Sequence, residues 1–133
     1  MKNPILLAII IINIVITSLH YTDNALFVDL YPEPEWITTS GVFITWGIMT
    51  VIALIGYWLY SKKNYWLSYL ALTLYSTTGL SSLTHYLYGT MPEFSFKMHL
   101  FIWSDFIVGF TLVLFVIWSV LSGREGLQEK ASD

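Results

Sequence analysis

Long apolar segments separated by short polar ones dominate the pattern of the chain. Charged residues are absent from 3 to 22, from 36 to 61 and from 64 to 92, and between 98 and 123 there is only Asp105. A helix needs about 20 apolar residues to cross the roughly 30 Å hydrocarbon core of a membrane. Each segment is therefore long enough to form a membrane-spanning helix.

The type of regular structure follows from the same pattern. Strands of a membrane barrel alternate apolar and polar residues over about 9–11 positions, whereas the first segment contains four successive isoleucines at 9–12. We therefore predict an all-α fold, an integral membrane bundle of four transmembrane helices in one domain, residues 1–133. The predicted spans are about 4–21, 40–60, 65–87 and 97–121, followed by a polar tail at 123–133.

Composition supports a protein solvated mainly by lipid. Hydrophobic residues make up 56% of the chain and charged residues 11%, against roughly 25% charged residues in soluble domains. The net charge of −3 disfavours a nucleic-acid partner. The chain has no cysteine, which excludes disulfides and thiolate metal sites.

The basic residues predict the orientation. With four spans, most Lys and Arg residues share one side with both termini, and Lys97 lies on the other. Because basic segments stay cytoplasmic, we expect both termini inside and a multi-pass protein of the plasma (inner) membrane. The first segment lacks the small-residue cleavage site of a signal peptide, so we expect it to remain as an anchor. The basic residues on the cytoplasmic side are Lys2, Lys62, Lys63, Arg124 and Lys130.

The histidines are the first candidate chemistry. His20, His85 and His99 each fall near the outer end of a different predicted span, and Asp23 follows His20 by one helical turn. Neutral imidazole and carboxylate are ligands for Zn, Fe, Cu and Mn. We therefore predict a site on the non-cytoplasmic side in which these four residues bind a transition metal ion or haem. The alternative is a set of structural histidines that hydrogen-bond helix ends.

Asp105 is the second candidate. It lies about eight residues into the fourth span, roughly 12 Å below the outer boundary, where an ionisable group costs at least about 2.5–3.5 kcal/mol and has to face protein or water. Asn13 and Thr78 are expected at the same depth, with Ser82 one turn above Thr78, as a supporting polar layer. Asp105 is a possible acid or base in a cavity; the alternative is a packing contact with Asn13 or a hydroxyl.

The first outer loop carries a further signal. Pro32 and Pro34 alternate with Glu33 and Glu35. Because each proline restricts its own backbone and that of the residue before it, the segment should be extended and able to fold back over the helices as a lid.

These residues leave several functions open. The first is the metal or haem site. A second is a non-catalytic accessory subunit of a larger membrane complex, or a protein that associates with itself. A third is a membrane enzyme that performs acid–base or metal-assisted chemistry on a lipid or isoprenoid, with Asp105 or a histidine as proton donor. A lateral opening between helices would favour the third.

Overall fold

The computed structural model describes residues 3–123, and all regular structure within them is helical. Residues 1–2 and 124–133, which include Lys2 and nearly all of the predicted polar tail, lie outside the described residues. The α-helices are α1 (Pro4–Leu26), α2 (Thr39–Ser61), α3 (Tyr65–Leu80), α4 (His85–Tyr88) and α5 (Phe96–Ser122). Short 3₁₀ helices occupy Val28–Leu30, Ser81–Thr84 and Met91–Glu93.

Local sequence signals fix the helix ends. The Asn3 side chain accepts hydrogen bonds from the first amides of α1, the Thr38 hydroxyl caps α2, and Ser95 caps α5. Each side chain satisfies an amide that has no partner within its helix. α5 ends at Gly123, whose φ of +60° is a left-handed conformation that glycine adopts without strain.

Three helices are long and apolar enough to cross a membrane. These are α1, α2 and α5, with mean hydropathies of 2.2, 2.0 and 2.4 over their most apolar windows. The all-α prediction is confirmed for the described residues, and these helices are consistent with an integral membrane protein. The predicted spans 40–60 and 97–121 match α2 and α5 closely, whereas α1 continues to Leu26, five residues beyond its predicted end.

The predicted third span, 65–87, is interrupted. α3 has 16 residues and gives way at Ser81 to a 3₁₀ helix and then to α4. The hydroxyls of Ser81, Ser82 and Thr84 donate to the carbonyl three residues earlier, at 3.0, 2.6 and 2.6 Å. Side-chain bonds of this kind compete with the α-helical ladder. The count of four membrane-spanning helices therefore stays a prediction.

The long helices pack in a ring in which α1 contacts α2 and α5, and α3 contacts the same two helices. α3 and α5 approach most closely at two glycines. A Cβ atom added to Gly79 would lie 3.0 Å from the Cα of Gly109 and closer still to the backbone of Asp105. This contact places the Asp105 backbone directly against α3, near the segment that carries His85.

Candidate functional site

A buried histidine–carboxylate pair joins α1 to α5. The Nδ1 atom of His20 lies 2.7 Å from Oδ2 of Asp105, and the two side chains are 2% and 0% exposed. A carboxylate only accepts hydrogen bonds, so Nδ1 is the donor when Asp105 is ionised, and in the neutral imidazole Nε2 then keeps a lone pair. Nε2 is also buried and has no hydrogen-bond partner in residues 3–123. His20 is thus an imidazole oriented by a carboxylate, with its basic nitrogen free.

A second histidine–carboxylate pair lies beside the first. Nδ1 of His85 is 2.5 Å from Oε1 of Glu33, whose side chain is 3% exposed. This is an ion-pair contact without the directions of a hydrogen bond, so both atoms lack a hydrogen-bond partner in the described part of the chain. The loop that carries Glu33 packs against the far end of α4, where a side chain on Gly89 would collide with the Pro32 ring. The loop therefore folds over the helices, as its sequence predicts.

The two pairs meet at one cavity. The His20 and His85 rings are tilted by 53° to each other, with centroids 5.2 Å apart. Both border a cavity of about 470 Å³, a size typical of small-molecule sites. Other residues of its wall are Tyr21 and Asn24 from α1, Glu33, Trp36, Ile37 and Thr38 from the loop, Gly41, Val42 and Thr45 from α2, and Thr78, Ser81, Ser82, Thr84 and Tyr88 from the α3–α4 segment.

The cavity reaches the surface of α2. Thr45 lines it and is itself exposed, and its neighbours Ile44 and Ile48 are 61% and 57% exposed. α2 is one of the helices that can cross a membrane. The part of the cavity wall formed by Thr45 therefore borders an apolar helix surface.

His99 lies apart from these residues. Its ring stacks on Tyr86, and its Nδ1 is 2.7 Å from the Tyr86 hydroxyl. Its Nε2 is 3.1 Å from the carbonyl of Met91. His99 does not border the cavity, and its contacts match the alternative in which a histidine supports the structure near a helix end.

Asp23 also contacts residues outside the cavity. It forms an ion pair with Lys97, whose ammonium lies 4.5 Å from the centre of the Phe27 ring, and it accepts a hydrogen bond of 2.7 Å from the Tyr31 hydroxyl. Burial and this hydrogen bond raise the pKa of Tyr31 to about 12. Asp23 thus fixes the start of the outer loop and the N-terminal end of α5, and its carboxylate does not contact His20.

The predicted supporting layer is buried but makes its own contacts. Asn13 donates to the carbonyls of Ile9 and Val108 at 2.9 and 3.0 Å, and Thr78 donates to a carbonyl of its own helix. Ser82 donates both to its own helix and to the Ile102 carbonyl of α5. Thr78 and Ser82 line the cavity, and Asn13 joins α1 to α5 below it. Asp105 therefore contacts His20 rather than Asn13.

The pairing of His20 with Asp105 is what the sequence reasoning missed. The sequence pattern placed His20 at the end of its helix, and it placed Asp105 deeper in the membrane, below the level of the histidines. Because α1 continues to Leu26, His20 lies about 9 Å from the helix end, a depth close to that of Asp105. The available signal was the group Asp23 and Asn24, which extends the helical spacing of polar residues past His20.

The described residues do not show the predicted metal site. Of His20, His85, His99 and Asp23, only the first two come together. Among residues 3–123, no three His, Cys, Asp or Glu side chains are arranged to hold a metal ion. Comparison with known proteins finds no matching family model, curated protein or solved structure. The chemistry of the cavity is therefore the basis for assigning a function.

Proposed function

We propose that this protein is a membrane-embedded acid–base catalyst that moves a proton on a lipid-phase molecule. One observation carries the proposal: the unpartnered Nε2 of His20, oriented through Nδ1 by the buried Asp105, lies at the wall of the cavity. A base oriented by a carboxylate in this way is the arrangement that proton-transfer enzymes use.

The step uses the residues as they stand. Nε2 of His20 takes a proton from the substrate, and the bonding electron pair stays on the substrate. The Nδ1 proton stays on His20, and the negative charge of Asp105 stabilises the imidazolium. The proton taken up by Nε2 exchanges with solvent, and a proton is then delivered to the same or another atom of the substrate. The net reaction is an exchange or an isomerisation and needs no oxidant or reductant.

His85 supplies a second proton-transfer group. Its ring is 5.2 Å from that of His20 and is backed by Glu33. A molecule bound in the cavity beside the two rings would have one imidazole to remove a proton and the other to deliver one. In this reading Glu33, on the loop, completes the site only when the loop is folded over the cavity.

Solvent deuterium tests the proposal without knowledge of the substrate. Purified protein would be reconstituted with a total lipid extract in D₂O, and the lipids analysed by mass spectrometry. We expect one lipid to gain deuterium at carbon, about 100-fold more slowly with Asp105→Asn or His20→Gln. Ser104→Ala, on the same helix, is the matched control and should keep the wild-type rate. Absence of any mass shift, or equal rates in all variants, would overturn the proposal.

The proposal includes the predicted topology of four spans, with both termini in the cytoplasm and the cavity in the outer half of the plasma membrane. Because the chain has no cysteine, single introduced cysteines report on it without background. Glu35→Cys should react with an impermeant maleimide in intact cells, and Asn64→Cys only after permeabilisation. The opposite pattern would invert the topology.

A transition metal ion is the second candidate, favoured by the same free Nε2. Ligating histidines usually donate their other nitrogen to a carboxylate or carbonyl, as His20 does. Metal analysis of the purified protein should then show a content that falls with His20→Ala and His85→Ala and is unchanged by His99→Ala. Equal metal content in all three variants would exclude this candidate, including a haem held by these residues.

A further inference from the structure

Unpartnered hydrogen-bond acceptors collect in the wall of the cavity. Among the described residues, Nε2 of His20, Oδ1 of Asn24 and Oε2 of Glu33 are buried and make no hydrogen bond, whereas Oε1 of Glu33 faces Nδ1 of His85 at 2.5 Å. The residues His20 and Asn24 are 2% and 9% exposed, and the Glu33 side chain 3%. Buried polar groups in folded proteins normally have a hydrogen-bond partner. Several unpartnered acceptors in the wall of one cavity therefore indicate a ligand that donates hydrogen bonds.

The charges at the cavity restrict the ligand further. No Lys or Arg is found among the described residues of the wall. Lys97, at the same end of the helices, is held by Asp23 and by the face of the Phe27 ring. An anionic head such as a phosphate would therefore meet Glu33 with no cation to compensate it. An ammonium head is disfavoured as well, because Glu33 already faces His85 and the desolvation cost of the ammonium would remain.

We infer that the cavity binds a lipid alcohol, whose single hydroxyl proton is donated to one acceptor of the group formed by His20, Asn24 and Glu33 and whose chain leaves past Thr45 into the membrane. The inference rests on the proposed function in that it names the substrate class of the same site. A hydroxyl is uncharged and supplies the missing donor.

The hydroxyl proton can be tested directly with three photoreactive probes. They share one long isoprenoid chain with a diazirine and an alkyne, and end in a hydroxyl, its methyl ether or its phosphate monoester. Each would be added to the protein in phosphatidylcholine vesicles, irradiated, and the labelled peptides identified by mass spectrometry. We expect the alcohol to label peptides of the cavity wall. The ether keeps the oxygen but lacks the donor, and its labelling should be about tenfold weaker.

Two pairs of variants locate the recognition. Asn24→Leu removes one acceptor and should weaken labelling by the alcohol about three- to tenfold, whereas Asn64→Leu, in the α2–α3 hairpin, should not. Thr84→Lys adds a cation to the wall and should raise labelling by the phosphate. Leu87→Lys is the control, because Leu87 is 79% exposed and lies outside the cavity.

The outcomes separate this inference from the proposed function. Equal labelling by ether and alcohol, or stronger labelling by the phosphate in the wild type, would overturn the lipid alcohol. If a long-chain amine reduced the labelling more effectively than the unlabelled alcohol did, the ligand would have a cationic head and the lipid-alcohol inference would also be overturned. Selective labelling by the alcohol supports the inference even if no lipid gains deuterium, in which case only the acid–base proposal fails.

Discussion

Breaking the contact between His20 and Asp105 tests whether this contact stabilises the folded protein. The change is a double-mutant cycle: His20→Ala, Asp105→Ala and both together. The two atoms are 2.7 Å apart and the side chains almost fully buried, so solvent does not screen the interaction. Each single variant strands a buried polar partner, and the double variant strands none. The two changes should therefore not be additive.

The expected magnitude follows from burial and charge. Leaving a buried partner unsatisfied costs about 1–3 kcal/mol, and a hydrogen bond to a charged group contributes about 1.5–3 kcal/mol. Double-mutant cycles within a membrane protein average about 0.6 kcal/mol and reach about 1.7 kcal/mol. Because this pair is both charge-assisted and buried, we expect a coupling energy of about 1–2 kcal/mol, at the upper end of the membrane range.

The measurement is reversible unfolding in mixed detergent micelles, followed by circular dichroism, with the free energy of unfolding compared across the cycle. A control cycle pairs His20→Ala with Thr111→Ala, since Thr111 is exposed on the same helix as Asp105 and should be additive. A coupling energy below about 0.5 kcal/mol would refute the reasoning, because independent sites add within that margin.

Three further outcomes are expected. Gly79→Ala should lower the free energy of unfolding by about 1–3 kcal/mol, because α3 and α5 leave no room between them for a methyl group. Gly47→Ala is the control and should not lower it, since nothing lies within 4 Å of the added methyl group. Equal effects of the two changes would contradict the close packing of α3 on α5. Ser68→Ala removes a buried hydrogen bond of 2.8 Å to a carbonyl of α2. It should lower the free energy of unfolding by about 0.6 kcal/mol, and by no more than about 1.7 kcal/mol. An unchanged free energy of unfolding would mean that this hydrogen bond does not contribute to stability. Hydrogen bonds from the Thr90 amide and hydroxyl hold the pKa of Glu93 below its ordinary value. These hydrogen bonds therefore stabilise the fold at a pH above the ordinary carboxyl pKa, and their contribution is lost as the pH falls through the lowered pKa of Glu93. Thr90→Val should raise that pKa in a carbon-detected NMR titration, and an unchanged value would show that the hydroxyl has no part in it.

The helices that the sequence located best are those whose ends carry a capping residue. Thr38 and Ser95 begin α2 and α5 within a residue or two of the predicted boundaries. The prediction for α1 ended too early because Asp23 and Asn24 read as residues of the aqueous loop. Both are buried in the structure, where Asp23 pairs with Lys97. A charge that has a partner elsewhere in the chain does not mark the end of a helix.

The candidate site was predicted in part. His20 and His85 of the predicted cluster line one cavity, whereas His99 and Asp23 do not, and the proline-rich loop that was expected to fold back contacts α4. The roles assigned to these residues stay predictions. The pairing of the histidines with carboxylates was not predicted: Glu33 faces His85, and Asp105 faces His20. Spacing within one segment indicates which residues share a helix face, but contacts between segments depend on the rotation and depth of each helix.

The amino-acid sequence alone predicts apolar helices compatible with a membrane, because the distribution of charged and apolar residues follows from the cost of placing each in lipid or water. It also excludes thiol chemistry and leaves imidazole, carboxylate and hydroxyl groups among the candidates, since there is no cysteine. Tertiary structure decided which of those groups meet. The five extra residues of α1 and the contact of α3 with α5 at Gly79 set the depth of His20 and Asp105. Those features arise from packing between distant segments, which no local pattern encodes.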